Sequence, residues 1–336
     1  MTITTTPGEV RPGRRVRRTV LLLLLALPGL AWAAVRLLGA ERGVLVQLVA
    51  FTPYAGLWSL IVLIITLWAR RWLVAAVAGL AAVMFAVAVL PRALPDADRG
   101  PAGGIPMTVM TVNMFIGAAD PAAVVRLVRE HDVAVLAVQE FTPESAAGLS
   151  AAGLDDLLPF HALADEIGTT GSGLYSRYPM TDQASRRGDG GGLQDGNLQA
   201  YATIQPPGAG PVFVESAHPL APYALRAEDA WRSDLAALPR ADQSGVPRLI
   251  LGDFNSTLDH APLREVIAHG YRDAADAAGR GLIGTWGPYA GLPIPPVTLD
   301  HVLADRRIGV REVSVHGVSG SDHRALVASV TLPPAS

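Results

Sequence analysis

The chain contains neither cysteine nor lysine. Without cysteine there is no disulfide framework, no thiolate nucleophile and no thiolate zinc site. Without lysine there is no Schiff-base amine and no phosphate-loop lysine, and all 27 basic residues are arginine. Charge is scarce at one end. Residues 1–91 carry nine Arg and two Glu, a net of +7, whereas residues 92–336 carry 18 Arg against 28 acidic residues, a net of −10. Binding to nucleic-acid backbones rests largely on basic residues and counterion release, so an acidic domain of this kind disfavours a general DNA-binding role.

What is abundant is apolar sequence, and it is concentrated at the N-terminus. Three stretches approach or exceed the roughly 20 residues that span a bilayer: Thr19 to Val35 (extending to Leu38), Val44 to Ala69 with Pro53 inside it, and Trp72 to Leu90. Trp58, Trp68 and Trp72 lie towards span ends, where amphipathic rings favour the interface. The basic run around Arg14 to Arg18 before a leucine run also fits a cleavable signal peptide. Two further spans favour a retained anchor instead. A buried soluble hairpin would need a polar face, which the second and third stretches lack. Five arginines before the first span, with Arg70-Arg71 between the second and third, place the N-terminus inside. Three crossings then put everything after Leu90 outside. The expected organisation is a cytoplasmic tail over 1–18, a three-helix transmembrane anchor over 19–90, a linker over 91–106 and a soluble domain over 107–336. The linker reading rests on four Pro and three Gly between Pro91 and Pro106.

Within the soluble part, strands are expected at Met107–Asn113, Val133–Gln139, Gly173–Ser176, Leu198–Ile204, Val212–Ala217, Arg248–Gly252, Leu299–Ala304, Val310–His316 and Ala325–Thr331. Asp120-Pro121 and Thr142-Pro143 are helix starts, with a capping side chain and Pro at the first helical position. Further helices are expected at Leu225–Leu238 and Pro262–Ala268, and a loop at 188–192. Strands outnumber helices and short turns separate several of them, which points to a mixed-sheet α/β sandwich.

The polar residues at strand ends carry the chemistry. Asn113 ends the first strand and Glu140 the second. His218 follows Ala217. Asp253 and Asn255 follow the Leu249 run, and Asp300 follows Leu299. Asp322-His323 precede the last strand. Glu, Asp and Asn oxygens are hard ligands suited to Mg²⁺, Mn²⁺ or Ca²⁺. Such an ion neutralises charge on a phosphoryl oxygen. An Asp hydrogen-bonded to an imidazole fixes its tautomer and favours the charged ring. Singly, each residue also reads as a turn former, a strand cap or a solvated charge; the ordered set carries the argument. His131, His161, His260, His269 and His316 read as surface or loop residues, and His301 is ambiguous beside Asp300.

Taken together, Val112-Asn113, Val138-Gln139-Glu140, Leu174 to Pro179, Ala217-His218, Gly252-Asp253-Phe254-Asn255, Leu299-Asp300-His301-Val302 and Ser321-Asp322-His323 resemble the endonuclease/exonuclease/phosphatase superfamily. The resemblance covers about Met107 to Leu332. It implies a four-layer α/β sandwich of the deoxyribonuclease I-like kind, here preceded by three transmembrane helices. It also implies Glu140 as principal metal ligand with Asn113 and Asp322 close to the metal, Mg²⁺ as the cofactor, and Asp253 orienting the attacking water. Asn255 and His218 would hold phosphoryl oxygens, and Asp300 would pair with His323 at the scissile phosphate. The anchor and the Arg- and Ala-rich composition are similar to a membrane-anchored actinobacterial branch that includes the VanJ-type teicoplanin-resistance proteins. Nuclease members often carry a basic residue near the Asp300 motif, where this chain has Val297-Thr298-Leu299.

The expectation is therefore a multi-pass cell-membrane protein with its catalytic domain outside. It would be a metal-dependent hydrolase of a phosphate ester or pyrophosphate, lipid-linked and close to the bilayer, with a role in envelope metabolism or glycopeptide resistance. No protein partner is implied. A membrane-tethered nuclease and a non-catalytic sensor on the same fold are the alternatives.

Overall fold

The computed structural model describes residues 12–96, 100–192, 195–242, 244–288 and 292–335. Most of the expected cytoplasmic tail and residues 97–99 of the expected linker lie outside them. The chain forms two compact units, one of residues 1–40 and 52–90, the other of residues 41–51 and 91–336.

The first unit holds three helices: α1 (Pro12–Leu38), α3 (Thr52–Trp68) and α4 (Trp72–Val89). Its inward positions include small residues such as Ala26, Ala33, Ala78 and Ala81, while Leu24, Leu57, Ile64, Leu73 and Val87 face outward. Arg15–Leu38 and Trp72–Ala93 are long and apolar enough to cross a membrane, and Thr52–Trp68 is a shorter apolar helix of 17 residues. The expected second span from Val44 is thus divided. Its first part is a separate six-residue helix, α2 (Val44–Val49), which belongs to the second unit. A turn at Ala50 and Phe51 separates it from α3, whose second residue is Pro53. Proline suits the first turn of a helix because its missing N–H has no intrahelical partner there.

The second unit runs β1 (Ile105–Asn113), α5 (Pro121–Glu130), β2 (Val135–Gln139), α6 (Pro143–Ala151), α7 (Leu154–Leu157), β3 (Phe160–Ala164), β4 (Ser172–Ser176), β5 (Met180–Arg187), β6 (Leu198–Ile204), β7 (Val212–Ala217), α8 (Glu228–Ala236), β8 (Arg248–Asp253), α9 (Ala261–Ala268), β9 (Tyr271–Asp273), α10 (Ala274–Ala277), β10 (Asp300–Asp305), β11 (Gly309–Gly317) and β12 (Arg324–Leu332). Asp120 and Thr142 cap α5 and α6 as expected, each accepting a backbone N–H. Two mixed six-stranded sheets result, ordered β11-β12-β1-β2-β4-β3 and β5-β6-β7-β8-β10-β9. Each has one parallel pair at its centre, β1 with β2 and β7 with β8, flanked by antiparallel neighbours.

Alternation along the strands builds the layers. Val109 on β1, Val135 on β2, Val214 on β7, Leu251 on β8 and Val302 on β10 share the core between the sheets. Met110, Val112, Leu136 and Val138 face the other way, onto Val124, Leu127 and Leu149 of α5 and α6. Ile250 and Leu303 face Trp231, Leu235 and Leu263 of α8 and α9. These are the four layers of an α/β sandwich.

The segment expected as an exposed linker is partly buried. Arg92 is 5% exposed and makes a two-pronged ion pair with Asp259 at 2.8 and 2.5 Å. A guanidinium matched to a carboxylate in this way satisfies both charges away from water.

Candidate active site

The inter-sheet faces become polar towards one end. Beyond Val109 and Val135, Thr111 Oγ1 donates to Gln139 Oε1 (3.0 Å) and Gln139 Nε2 donates to Ser216 Oγ (2.9 Å). One step further stand Asn113, Asp253 and His218. Strand periodicity places each on the same face as the core residues behind it.

Local constraints hold these groups. Gly252 pairs with Ala217, and a Cβ at that position would collide with the Ala217 carbonyl oxygen, so only glycine lets β8 lie this close to β7. Asp253 Oδ1 accepts from Asn255 N (2.8 Å), and Asn255 Nδ2 donates to the Pro219 carbonyl (3.1 Å), joining two strand ends. Asn113 Oδ1 accepts from Phe115 N (2.8 Å), and Glu140 Oε2 accepts from Ile116 N (2.9 Å). Phe115, Ile116, Glu140 and Asn255 all have φ between 47° and 54°. Non-glycine residues rarely adopt this left-handed conformation, least of all a β-branched one.

Asp300 begins β10, in keeping with the strand expected at Leu299–Ala304, and does not close the preceding run from Pro296 to Leu299. Antiparallel pairing in the register Asp300↔Asp253 sets the first residue of one strand beside the last of the other. Asp300 Oδ2 accepts from His323 Nδ1 (2.9 Å), and His323 Nε2 lies 3.5 Å from Asp253 Oδ2. His218 Nε2 is 3.9 Å from the same carboxylate oxygen. Asn113 Nδ2 donates to Glu140 Oε1 and to Asp253 Oδ2, both at 3.1 Å. Asn113, Asp253, His218, Asp300 and His323 are all buried, while Glu140, Asn255 and Asp322 are partly exposed. All except Asn113 and Asp300 line a single cavity of about 650 Å³.

Sequence reasoning missed several contributors. Trp286 Nε1 donates to Asp322 Oδ2 (3.0 Å). Buried Thr285 Oγ1 accepts from the N–H groups of Leu299 and Asp300, fixing the start of β10. Asn197 lines the cavity, and its Oδ1 is buried without a hydrogen-bond partner. None of these stands in a strand-end pattern that sequence alone could flag. Two histidines also differ from their surface or ambiguous readings. His260 is buried and ring-bonded to Thr257 N and the Val46 carbonyl, both at 2.8 Å. His301 is fully buried between Asp273 Oδ2 (2.7 Å) and the Ser256 carbonyl (2.8 Å).

Burial and neighbouring charge set the protonation states. Burial pulls the His323 imidazolium down, but the Asp300 and Asp253 carboxylates outweigh it and push the ring to about 10. It is therefore charged at neutral pH. Burial pulls His218 below the ordinary histidine value, against the attraction of Asp253, which leaves it neutral. Burial raises Glu140 to about 7 despite its hydrogen bond from Asn113. Burial likewise raises Asp253, opposed by His323.

The donor set suits a hard divalent cation. Asp253, Asp300 and His323 bring potential ligand atoms within 4.8 Å of one another. Asp300 Oδ1 and Asp322 Oδ1 are buried without hydrogen-bond partners. Buried carboxylate oxygens of this kind cost free energy unless a cation or proton meets them. Of the tight triad, His323 already spends Nδ1 on Asp300 and repels a cation while charged. The carboxylates around it are the better ligands.

Comparison with known proteins bears on the family and the fold. The family profile described as Endonuclease/Exonuclease/phosphatase family matches residues 110–323. No curated protein matches the sequence. Among solved structures, the chain is similar to an endonuclease/exonuclease/phosphatase family protein from Leptotrichia buccalis, at 16% identity and a TM-score of 0.53, covering 67% of this chain and 99% of that one. It is similar to a humanized D. rerio TDP2 at 12% identity and a TM-score of 0.53, covering 67% and 98%. A third likeness, to an endonuclease/exonuclease/phosphatase from Beutenbergia cavernae, has 17% identity and a TM-score of 0.51, covering 68% and 72%. At these identities the structural likenesses speak to the fold.

Proposed function

Because the chain belongs to the endonuclease/exonuclease/phosphatase family, we propose that its cavity hydrolyses a phosphate ester or anhydride with a divalent cation, at the outer face of a membrane. A phosphohydrolase is what the family supports at the coarse level. The observation that carries the reading further is the His323 imidazolium. It is held by Asp300 on one nitrogen, and its other nitrogen points towards Asp253 in the cavity.

In this mechanism His323 Nε2–H meets the negative oxygen that develops as the phosphorus–oxygen bond breaks, and it can pass its proton to the leaving group. Asp300 keeps that ring charged and oriented. Asp253 accepts a hydrogen bond from the attacking water and aims it; positioned acid–base groups of this kind typically contribute roughly 10²–10⁴ in rate. Neutral His218 and the Asn255 amide hold phosphoryl oxygens. Glu140, Asn113 and Asp322 would hold the cation, Mg²⁺ by preference or Mn²⁺ or Ca²⁺. When bound, it supplies charge neutralisation at the phosphoryl oxygens.

Membrane attachment through α1, α3 and α4 is supported by the pattern of the first unit. Small residues face inward and large aliphatic ones outward, as expected where helices pack in lipid. The arginine distribution favours an inside N-terminus and an outside catalytic domain. A reporter fused after Thr331 should therefore be active only outside the cytoplasm; activity confined to the cytoplasm overturns the topology. The net charge of −10 over residues 92–336 disfavours a polyanionic substrate and leaves phosphorylated lipids as the nearest one. On that reading the protein acts in envelope metabolism, with glycopeptide (teicoplanin) resistance as its cellular outcome. Deletion should lower the inhibitory teicoplanin concentration, and an unchanged value would remove this part of the proposal.

The deciding experiment measures hydrolysis by the full chain in detergent, with and without chelator, reading inorganic phosphate from the pyrophosphate, phosphomonoester from the lipid diesters and nicked plasmid from DNA. The panel is polyprenyl pyrophosphate, phospholipids, sphingomyelin and plasmid DNA. Metal-dependent hydrolysis of a lipid phosphate, lost in Asp253→Ala and His323→Ala, is the expected result. Efficient cutting of DNA at low enzyme concentration would establish the nuclease reading instead. Activity unaffected by either substitution would refute the site.

A further inference from the structure

Most of the chain between α1 and α3, residues 41–51, is built into the catalytic unit. Glu41 Oε1 accepts from Ala261 N (2.6 Å) and the Glu41 carbonyl accepts from Arg232 Nη2 (2.7 Å). Gly43 N donates to Glu228 Oε2 (2.7 Å), and Gln47 Nε2 donates to the Pro222 carbonyl (3.0 Å). The buried His260 ring meets the Val46 carbonyl at 2.8 Å. Val46 itself packs in one core with Trp231, Leu235 and Phe254. These hydrogen bonds and the packing of Val46 make it fixed structure, unlike a slack connection.

The same segment lines the cavity. Glu140, His218, Asp253 and His323 provide its charged and polar side, while Val46, Ala50 and Phe51 line it together with Leu220, Tyr223 and Ile294. From Val44 to Phe51 the sequence carries no charge. A cavity of about 650 Å³ is the size that holds a drug-sized ligand with an apolar body and few polar contacts. A phosphoryl group alone uses only the polar side and leaves the apolar wall uncovered. Tyr223 is 53% exposed, so the wall continues to the surface.

We propose that the 41–51 segment is a specificity-determining wall that seats the first part of the hydrocarbon chain of a phosphorylated membrane lipid, whose phosphate lies against His323 and Asp253. The inference rests on the phosphohydrolase reading and adds to it the source of substrate selection. The wall lies directly between two apolar helices, so the chain that enters the anchor and the wall that meets the lipid are one continuous piece. The apolar helices are then more than a tether. A domain cut free at Pro91 lacks one side of its own site.

The test uses the full chain in mixed micelles and two substrates. Bis(p-nitrophenyl) phosphate has no aliphatic chain, and a polyprenyl phosphate ester has a long one. Ala50→Asp places a charge on the wall and should lower kcat/KM for the lipid about tenfold more than for the soluble ester, mainly through KM. The unaltered full chain should also be labelled within residues 41–51 by a lipid phosphate carrying a diazirine on its first chain carbons. Equal losses on both substrates, or labelling confined to other segments, would overturn the wall. Should Ala50→Asp not fold, the labelling decides alone. If soluble-ester hydrolysis survives Asp253→Ala, the hydrolase reading itself has failed. If it is Asp253-dependent but the substrate ratio is unmoved by Ala50→Asp, only the wall has failed.

Discussion

Two aspartate–histidine pairs stand back to back across β10. Asp300 faces the inter-sheet layer and pairs with His323; its neighbour His301 faces the opposite side and pairs with Asp273. Both imidazoles are buried. In both, burial lowers the ring's proton affinity and the neighbouring carboxylates outweigh it, so both are raised above the ordinary histidine value, His323 to about 10. They differ in the second ring nitrogen. That of His301 is spent on the Ser256 carbonyl at 2.8 Å, whereas that of His323 faces the cavity beside Asp253 at 3.5 Å. A carboxylate–imidazole pair becomes reactive machinery only when one nitrogen remains for something that comes and goes. Fully bonded, the same pair is a rivet.

The largest expected effects separate the two pairs. His323→Ala should lower kcat by about 10³-fold and should also lower the denaturant midpoint, because it leaves Asp300 buried without its partner. His301→Ala should cost about 3–5 kcal/mol of stability in urea unfolding by leaving Asp273 buried without its partner, while the folded fraction keeps a near-normal kcat. An inactive His301→Ala protein of normal stability would break the comparison. Next in size, Asp300→Asn keeps the shape but removes the charge that holds His323 near 10. With burial then dominant, the ring loses its proton at lower pH. The alkaline limb of the kcat profile should move down by units, with about 10²-fold lower kcat at pH 8. The same shift has a stability counterpart. A histidine raised in the folded state contributes stability that is complete below about 6.5 and lost as pH rises through about 10. Wild type should weaken over that window and His323→Ala should not.

A smaller effect concerns the metal. Burial raises Glu140 to about 7, and a cation needs its carboxylate. Mn²⁺ affinity should climb by about tenfold per pH unit below that value and level off above it. Electron paramagnetic resonance titration checks this, and a flat profile would remove Glu140 from the ligand set. The smallest effect is at Ile116, a half-exposed β-branched residue at φ 54°. Ile116→Asn should raise stability by about 1 kcal/mol, since asparagine tolerates the left-handed region. Thermal unfolding reads that gain, and a loss would show that Ile116 makes contacts outweighing the strain.

Much of this was legible in sequence because alternation and burial coincide. Leu198–Ile204 and Val212–Ala217 have the expected bounds, and Gly252 to Asn255 announced a strand running into a site. What failed to show had no such signal. β5 is exposed or half-exposed along its whole length, so no face demanded apolar residues. β9 has three residues, too few for a period. Asp300 groups with the strand ends because Val297 and Leu299 precede it, although the strand expected at Leu299–Ala304 already has it near the start; the antiparallel pairing with Asp253 shows why both ends meet at one place. The apolar run from Val44 to Ala69 hid a break for a simpler reason. A wall lining a cavity and a helix facing lipid have the same composition, and Pro53 alone hinted at the boundary. His260 looked like a loop residue because its partners, Thr257 N and the Val46 carbonyl, are backbone atoms.

The left-handed backbone at Phe115, Ile116 and Glu140 has an evolutionary reading. Each non-glycine residue held there costs the fold on the order of 1 kcal/mol or more. Random drift towards glycine or asparagine would relax it at once. A descendant released from its reaction should therefore lose this strain before it loses its strands. Glycine no more frequent at these positions in relatives with incomplete polar sets would count against that order of decay. On the proposed function, a glutamate held at φ 51° at position 140 is strain that a working site would keep and a retired copy of this fold would be free to lose.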